Sequence, residues 1–354
     1  MQAHSVCQLY LGVAMLSLVS VAQPVSAQVR YRVVELGVFE QASTNMVRGF
    51  NSANEVCGGT ISFRHGKHAF LLTNGSVENL EGPPGTDSSV AHAMNDDTIV
   101  VGSFNSAGSM HAFRWTRSDG VQVLGTLPGD SSSQAFGINS QNAVVGASSG
   151  PTGIEAVLWT RDGSIQGLGR LRDGDYSRAV AINDPGAVVG TSGRRGADRA
   201  FLWTRARGMA DLGVLPGETE STATGINNAG RVVGYARGPR GTRAFLWTPN
   251  EGMQELGPLP GGDFSRALAI NAPGDIVGMS GSPLGARATL WARTGAIQDL
   301  NALIPAGSDF VLTQAVNINR PGTILAIGHA EIAQGHDHEL PTRIFLLIPN
   351  ANGG

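Results

Sequence analysis

The densest concentration of metal-ligand chemistry in the chain is "GHAEIAQGHDHELPTR", a segment carrying His329, Glu331, His336 and His338. Imidazole and carboxylate suit zinc or another divalent transition ion. The candidate set is His336 and His338 with His329 or Glu331, and a solvated polar loop is the competing reading. "GASSG", Gly146 to Gly150, formally matches G-x-S-x-G. That motif works only where a strand-turn-helix presents the serine at a helix start, and the surrounding sequence has no helical pattern, so it reads as coincidence. Acidic residues Asp130, Asp175, Glu218 and Asp263 follow turns of the "LPG" type, while Arg194, Arg195, Arg237 and Arg240 sit in the variable loops "SGRRGADR" and "ARGPRGTR". Together they outline a candidate partner-binding face. Glycoside hydrolysis would need two carboxylates roughly 5–10 Å apart, a separation that chain spacing does not disclose. The sequence contains no phosphate loop, zinc ribbon or H-E-x-x-H.

The elements that must position these groups repeat. The asparagine of "IN" recurs as Asn51, Asn95, Asn139, Asn183, Asn227, Asn271 and Asn319, with five steps of 44 residues and a last step of 48. A glycine follows each of the first six, at Gly58, Gly102, Gly146, Gly190, Gly234 and Gly278. Trp115, Trp159, Trp203, Trp247 and Trp291 keep the same period, and Leu72 and Leu347 fill the slot in the end repeats. A fixed period of this size identifies a repeat architecture. Each unit reads as four short strands, as in "RALAIN", "DIVGMS", "RATLWA" and "AIQDLN". The Pro-Gly of "NAPG" suggests a type II turn between the first two strands, with proline at i+1 and glycine at i+2. The Gly274 slot holds Asn54, Thr98, Asn142, Gly186, Gly230, Gly274 and Gly322, a choice of residues that a left-handed backbone favours, with Thr98 the exception.

Strands such as "AFLWT" are apolar on both faces and must be covered on both. Sheets packed face to face in a ring do this, which predicts an all-β, seven-bladed β-propeller. The ends are complementary. "YRVVELGVFEQAS" resembles a fourth strand and its turn, whereas the last unit stops after its third strand, "RIFLLIPN". The N-terminal strand is therefore expected to complete the C-terminal blade. The tryptophans are expected between blades as structural core rather than as exposed sugar-stacking platforms.

Composition agrees with this architecture. Glycine accounts for 49 of the 354 residues and charged residues for 15%, against a usual share of roughly 7% and 25%. A net charge of −3 gives no general attraction to nucleic acid. Met1 to Ala27 reads as a secretory signal cleaved before Gln28, which leaves a propeller over 28–350 and a short tail over 351–354. Cys7 departs with the signal, so Cys57 has no partner and is expected to be a buried core thiol. No later segment is long and apolar enough for a membrane span. A monomer is expected, without a cofactor apart from the divalent ion considered above.

The units "HAFLLT", "HAFRWT" and "RAFLWT", with "GIN..G.VVG" before them and "LG.LPG" after, resemble the extracellular HAF-repeat family of bacterial proteins. Arg199, Arg243 and Arg287 replace the histidine in later units. The resemblance spans essentially the whole mature chain. It implies an exported repeat protein, secreted or periplasmic, without an established activity or catalytic residues. The favoured expectation is a binding or structural scaffold for a protein or polysaccharide. The alternative is a carbohydrate-active or other hydrolytic enzyme with its site at the channel mouth.

Overall fold

The computed structural model describes residues 30–38, 47–62, 66–194, 196–331 and 342–350. Seven four-stranded antiparallel sheets follow one another around a ring. The fourth blade illustrates the unit, with strands Tyr176–Ile182, Val188–Gly193, Arg199–Thr204 and Gly208–Asp211 running from the axis outward. The seventh blade is composite. Its strands Phe310–Ile318, Ile324–Ala330 and Arg343–Pro349 are completed by Tyr31–Val38, which pairs antiparallel with Arg343–Pro349. A bidentate ion pair from Arg343 to Glu35, at 2.6 and 2.8 Å, reinforces the seam.

The core consists of seven apolar layers, one between each pair of neighbouring blades. Trp115, Trp159, Trp203 and Trp291 lie in these layers and are at most 6% exposed. Trp247 is only partly buried, against the layer between blades four and five. Cys57 is fully buried, and burial pushes its thiol up to about 12.

The repeated glycine has a steric cause. The first strand of each blade slips register by one residue, as between Ala91 and Ala93 or Ala135 and Gly137, and this bulge brings it close to the second strand. A Cβ at Gly102, Gly146, Gly190, Gly234 or Gly278 would strike a first-strand carbonyl oxygen.

The repeated asparagine is an interblade tie. Its Oδ1 accepts backbone N–H bonds from its own turn, for example from Ala187 to Asn183 at 2.8 Å. Its Nδ2 donates to the asparagine carbonyl of the next blade, linking Asn95 to Asn139, Asn139 to Asn183, Asn183 to Asn227 and Asn227 to Asn271 at 3.0–3.2 Å. Asn319 closes the ring on Asn51 at 3.1 Å. Asn51 instead donates to Glu55, which accepts the Thr98 hydroxyl of blade two.

The turn itself differs from the expected type II frame. Gly274 N–H bonds the Asn271 carbonyl at 3.1 Å, and Asn271 N–H bonds the Asp275 carbonyl at 3.0 Å. Asparagine is therefore residue i, and glycine follows at i+3 rather than i+2. A three-residue connection ending in a left-handed residue meets the twist of a hairpin. All seven residues of that slot have positive φ, including Thr98 at 59°.

Candidate functional site

Two loop sets share one face of the ring, here called the loop face. They are the turns joining consecutive blades and the connections between second and third strands. Thr219 N–H bonds the Arg237 carbonyl at 2.9 Å, and Asp175 N–H bonds the Gly193 carbonyl at 2.7 Å. The charged candidates among the described residues lie on this face, but much of their charge is spent within the protein. Arg240 pairs with the buried carboxylate of Glu218 at 2.9 Å and with Glu255 at 3.1 Å. Arg199 and Arg243 pair with Asp211 and Glu255 and also donate to the carbonyls of Thr219 and Asp263. Asp130 accepts the Ser148 hydroxyl at 2.6 Å. Asp175, Asp263 and Arg194 are exposed. Arg237 is exposed with its guanidinium 5.0 Å from the Tyr235 ring centre. Arg195 lies outside the described residues.

Of the metal candidates, His329 is half-buried with Nδ1 donating to the Ala330 carbonyl at 3.0 Å, and Glu331 is exposed. His336 and His338 lie outside the described residues, among which no three metal-ligating side chains converge. "GASSG" is the end of a blade strand, Val144–Gly150. Ser148 is fully buried and accepts from Leu127 N–H at 3.0 Å.

A concavity lies on the ring axis. The inner strands of all seven blades line a channel cavity of about 520 Å³. At the end nearest the asparagine turns its wall is an apolar girdle of Phe50, Met94, Ile138, Ile182, Ile226 and Ile270. One layer nearer the loop face, three residues before each asparagine, stand Arg48, His92, Phe136, Val180, Thr224, Leu268 and Val316. None of the lining side chains is a carboxylate. The His92 and Phe136 rings are 5.1 Å apart, and the exposed guanidinium of Arg178 lies 5.3 Å from the centre of Phe136. His92 Nε2 is 3.3 Å from the Ser103 hydroxyl, and its Nδ1 has no partner. Desolvation against the wall, then the charges of Arg48 and Arg178, push this imidazole far below its ordinary value. It is neutral at pH 7. The sequence reading missed this arc. Its available signal was the position three residues before the asparagine, which changes chemical class from blade to blade while its surroundings repeat.

This architecture defines the protein as a seven-bladed β-propeller with an axial cavity. Residues 129–339 match the family described as a protein of unknown function (DUF3466), and the chain belongs to that family. No curated protein matches the sequence. Among solved structures, the chain is similar to a streptogramin B lyase at 14% identity and a TM-score of 0.57, over 92% of this chain and 99% of that one. It is also similar to a catalytically inactive virginiamycin B lyase from Staphylococcus aureus with quinupristin, at 14% identity and a TM-score of 0.54, over 90% and 99%. At these identities the likeness establishes the fold alone. Among the described residues, no helix is long and apolar enough to cross a membrane.

Proposed function

We propose that this protein is an exported binding scaffold, periplasmic or secreted, that receives its ligand in the axial cavity through the mouth on the loop face. The observation that carries this reading is the cavity itself. Its size falls within the roughly 300–1,000 Å³ of small-molecule sites, and its wall presents polar and apolar surface in about equal share. Export rests on the leader-like pattern of Met1 to Ala27.

The glycoside-hydrolase form of the hydrolytic reading requires two converging carboxylates. The acidic residues of the loop face, Asp130, Asp175, Glu218 and Asp263, do not line the cavity, and Asp130 and Glu218 already have partners within the protein. Binding is therefore the better-supported use of this site.

The test is a thermal-shift screen of pooled metabolites, peptides and oligosaccharides on the wild type and on Val180→Trp, which fills the cavity from its wall. Ligands that stabilise the wild type but not the variant support the reading. Ligands that stabilise both equally overturn the channel as the site. Turnover of a hit, lost in the plugged variant, restores the hydrolytic reading.

A further inference from the structure

Going beyond the channel reading, and at a separate place on the loop face, we infer that Arg237 and Arg266, stacked on Tyr235, form a binding site for a phosphoryl group. The repeat does not require this cluster. Eight residues after the asparagine, blade five carries Tyr235, and no other blade has an aromatic ring in that slot. The ring is half-buried and has two guanidiniums over it. Arg237, from the same strand, lies 5.0 Å from its centre, and Arg266, from blade six, lies 5.3 Å away. Arg266 belongs to the inner strand Ser265–Ile270, two residues to the loop-face side of Leu268. The pair therefore spans the seam between blades five and six at the rim of the mouth.

Two cations held against one ring repel each other, and no carboxylate of the protein pairs with either. Among the described residues, stacking on Tyr235 is the interaction that each guanidinium makes, without an ion pair or a hydrogen bond. Carboxylates are present in this sector but are engaged elsewhere. Arg240, Arg243 and Arg287 pair with Glu218, Glu255 and Asp299. Glu220 stands opposite Arg237 across the strand pair but forms no ion pair with it, and its charge is felt at the Tyr176 phenol of blade four. Stacking uses the face of a guanidinium and leaves its N–H edge free, in the fork geometry that suits an oxyanion. The shared ring also holds both forks in place, which lowers the ordering cost of binding. Two charges and two forks match a phosphoryl group, which carries roughly two negative charges near neutral pH and three acceptor oxygens. A carboxylate offers one charge and one planar edge, which a single arginine satisfies.

The test uses methyl phosphate and acetate as probes of the purified full chain, at pH 7 and constant ionic strength, read by saturation-transfer NMR and titration. Each probe has one methyl group to observe and no apolar body to seek the channel. Methyl phosphate is expected to bind the wild type more tightly than acetate does. Arg237→Gln and Arg266→Gln should each weaken it about tenfold, the usual scale for a hydrogen bond to a charged group. Tyr235→Leu keeps both charges but removes their platform, and it should weaken binding as well. Arg178→Gln removes an exposed arginine elsewhere on the same face, stacked on Phe136 of blade three, and should leave the affinity unchanged. Equal weakening by Arg178→Gln would reduce the effect to overall charge and overturn the site. Acetate binding as tightly as methyl phosphate overturns the match to a phosphoryl group. Absence of methyl phosphate binding at millimolar concentration, or indifference to both Arg237→Gln and Arg266→Gln, overturns the inference.

Discussion

Replacing Asn183 by alanine tests whether the asparagine ring holds neighbouring blades together. The residue is 5% exposed. Its Oδ1 accepts from Ala187 N–H at 2.8 Å, and its Nδ2 donates to the Asn227 carbonyl at 3.0 Å. The two bonds are not equal in what their loss leaves behind. The Asn227 carbonyl keeps a second donor, Gly230 N–H at 3.0 Å, so losing Nδ2 removes about 1 kcal/mol of net hydrogen bonding. The half-buried Ala187 N–H loses its side-chain acceptor, and where water retains partial access the cost of an unpaired donor is at the low end of about 1–3 kcal/mol. Asn183→Ala should therefore destabilise by about 2 kcal/mol. Asn183→Asp separates the two roles. The carboxylate still accepts from Ala187 but turns a second oxygen toward the Asn227 carbonyl, acceptor against acceptor. That environment raises the folded-state pKa of the new carboxyl above its unfolded value of roughly 4. By linkage, stability then falls as pH rises from the unfolded value through the folded one, and returns on acidification, when the protonated acid can donate to Asn227. Urea unfolding followed by tryptophan fluorescence at pH 7 and pH 4 gives both numbers. A loss under about 0.5 kcal/mol for the alanine variant, the range of an ordinary surface substitution, refutes the tie. So does an aspartate variant whose gap to the alanine variant is the same at both pH values.

Deleting the chain through Val38 strips the outer strand from blade seven and leaves Arg343–Pro349 as an apolar edge open to other chains. Size-exclusion chromatography should show association, and a monodisperse product with unchanged melting would contradict closure by this strand. Trp159→Ala, at a site with no exposure, should cost about 3–5 kcal/mol, and Trp247→Ala less, because its ring is only partly buried. Equal midpoints would count against that ranking. Burial alone would raise the Glu55 carboxyl, but hydrogen bonds from Thr98, Asn51 and Thr73, with Arg117 nearby, hold it below its ordinary 4.5. The stabilisation it supplies is complete above the unfolded value and fades as pH falls through the lower folded one. Glu55→Gln should thus melt below the wild type at pH 7, with the gap closing on acidification below about 4.5. A gap independent of pH would remove the carboxylate from that role.

The blades, their number and the composite seventh sheet were legible because each leaves a periodic trace along the chain. The left-handed slot was legible too, since Asn and Gly are what such a backbone accepts, and even Thr98 adopts it once its hydroxyl reaches Glu55. The frame of the turn was not. Pro273-Gly274 suits two framings, and the side chain of Asn271, bonding Gly274 and Asp275 N–H at 2.9 and 2.8 Å, selects the one observed. The tie from asparagine to asparagine was hidden for a different reason. Its acceptor is a backbone carbonyl 44 residues away, a group that every residue has. The pairing within the charged loops was not legible either. Spacing places Arg240 near several carboxylates, but only the fold sets it 2.9 Å from a buried Glu218.

Where this propeller can carry specificity follows from what its scaffold leaves unspent. The asparagine is committed to the turn and the tie, the second-strand glycine to the bulge, and the third-strand tryptophan or leucine to the interblade layer. Serines at the inner edge are committed as well. Ser133, Ser177, Ser221 and Ser265 each accept a third-strand N–H from the preceding blade at 2.8–3.0 Å. Substituting any of these would disturb closure before it changed recognition. The position three residues before the asparagine is less uniformly committed: Thr224 donates to the Ala267 carbonyl of blade six at 3.0 Å and Val316 packs against the layer between blades seven and one, whereas the units as a set place there side chains that run from arginine to leucine. A ring whose blades are held by repeated ties of one kind, with Asn51 the exception, can therefore differ from blade to blade at its axis, where Arg48, His92 and Phe136 stand in the slot that Val180, Leu268 and Val316 fill elsewhere.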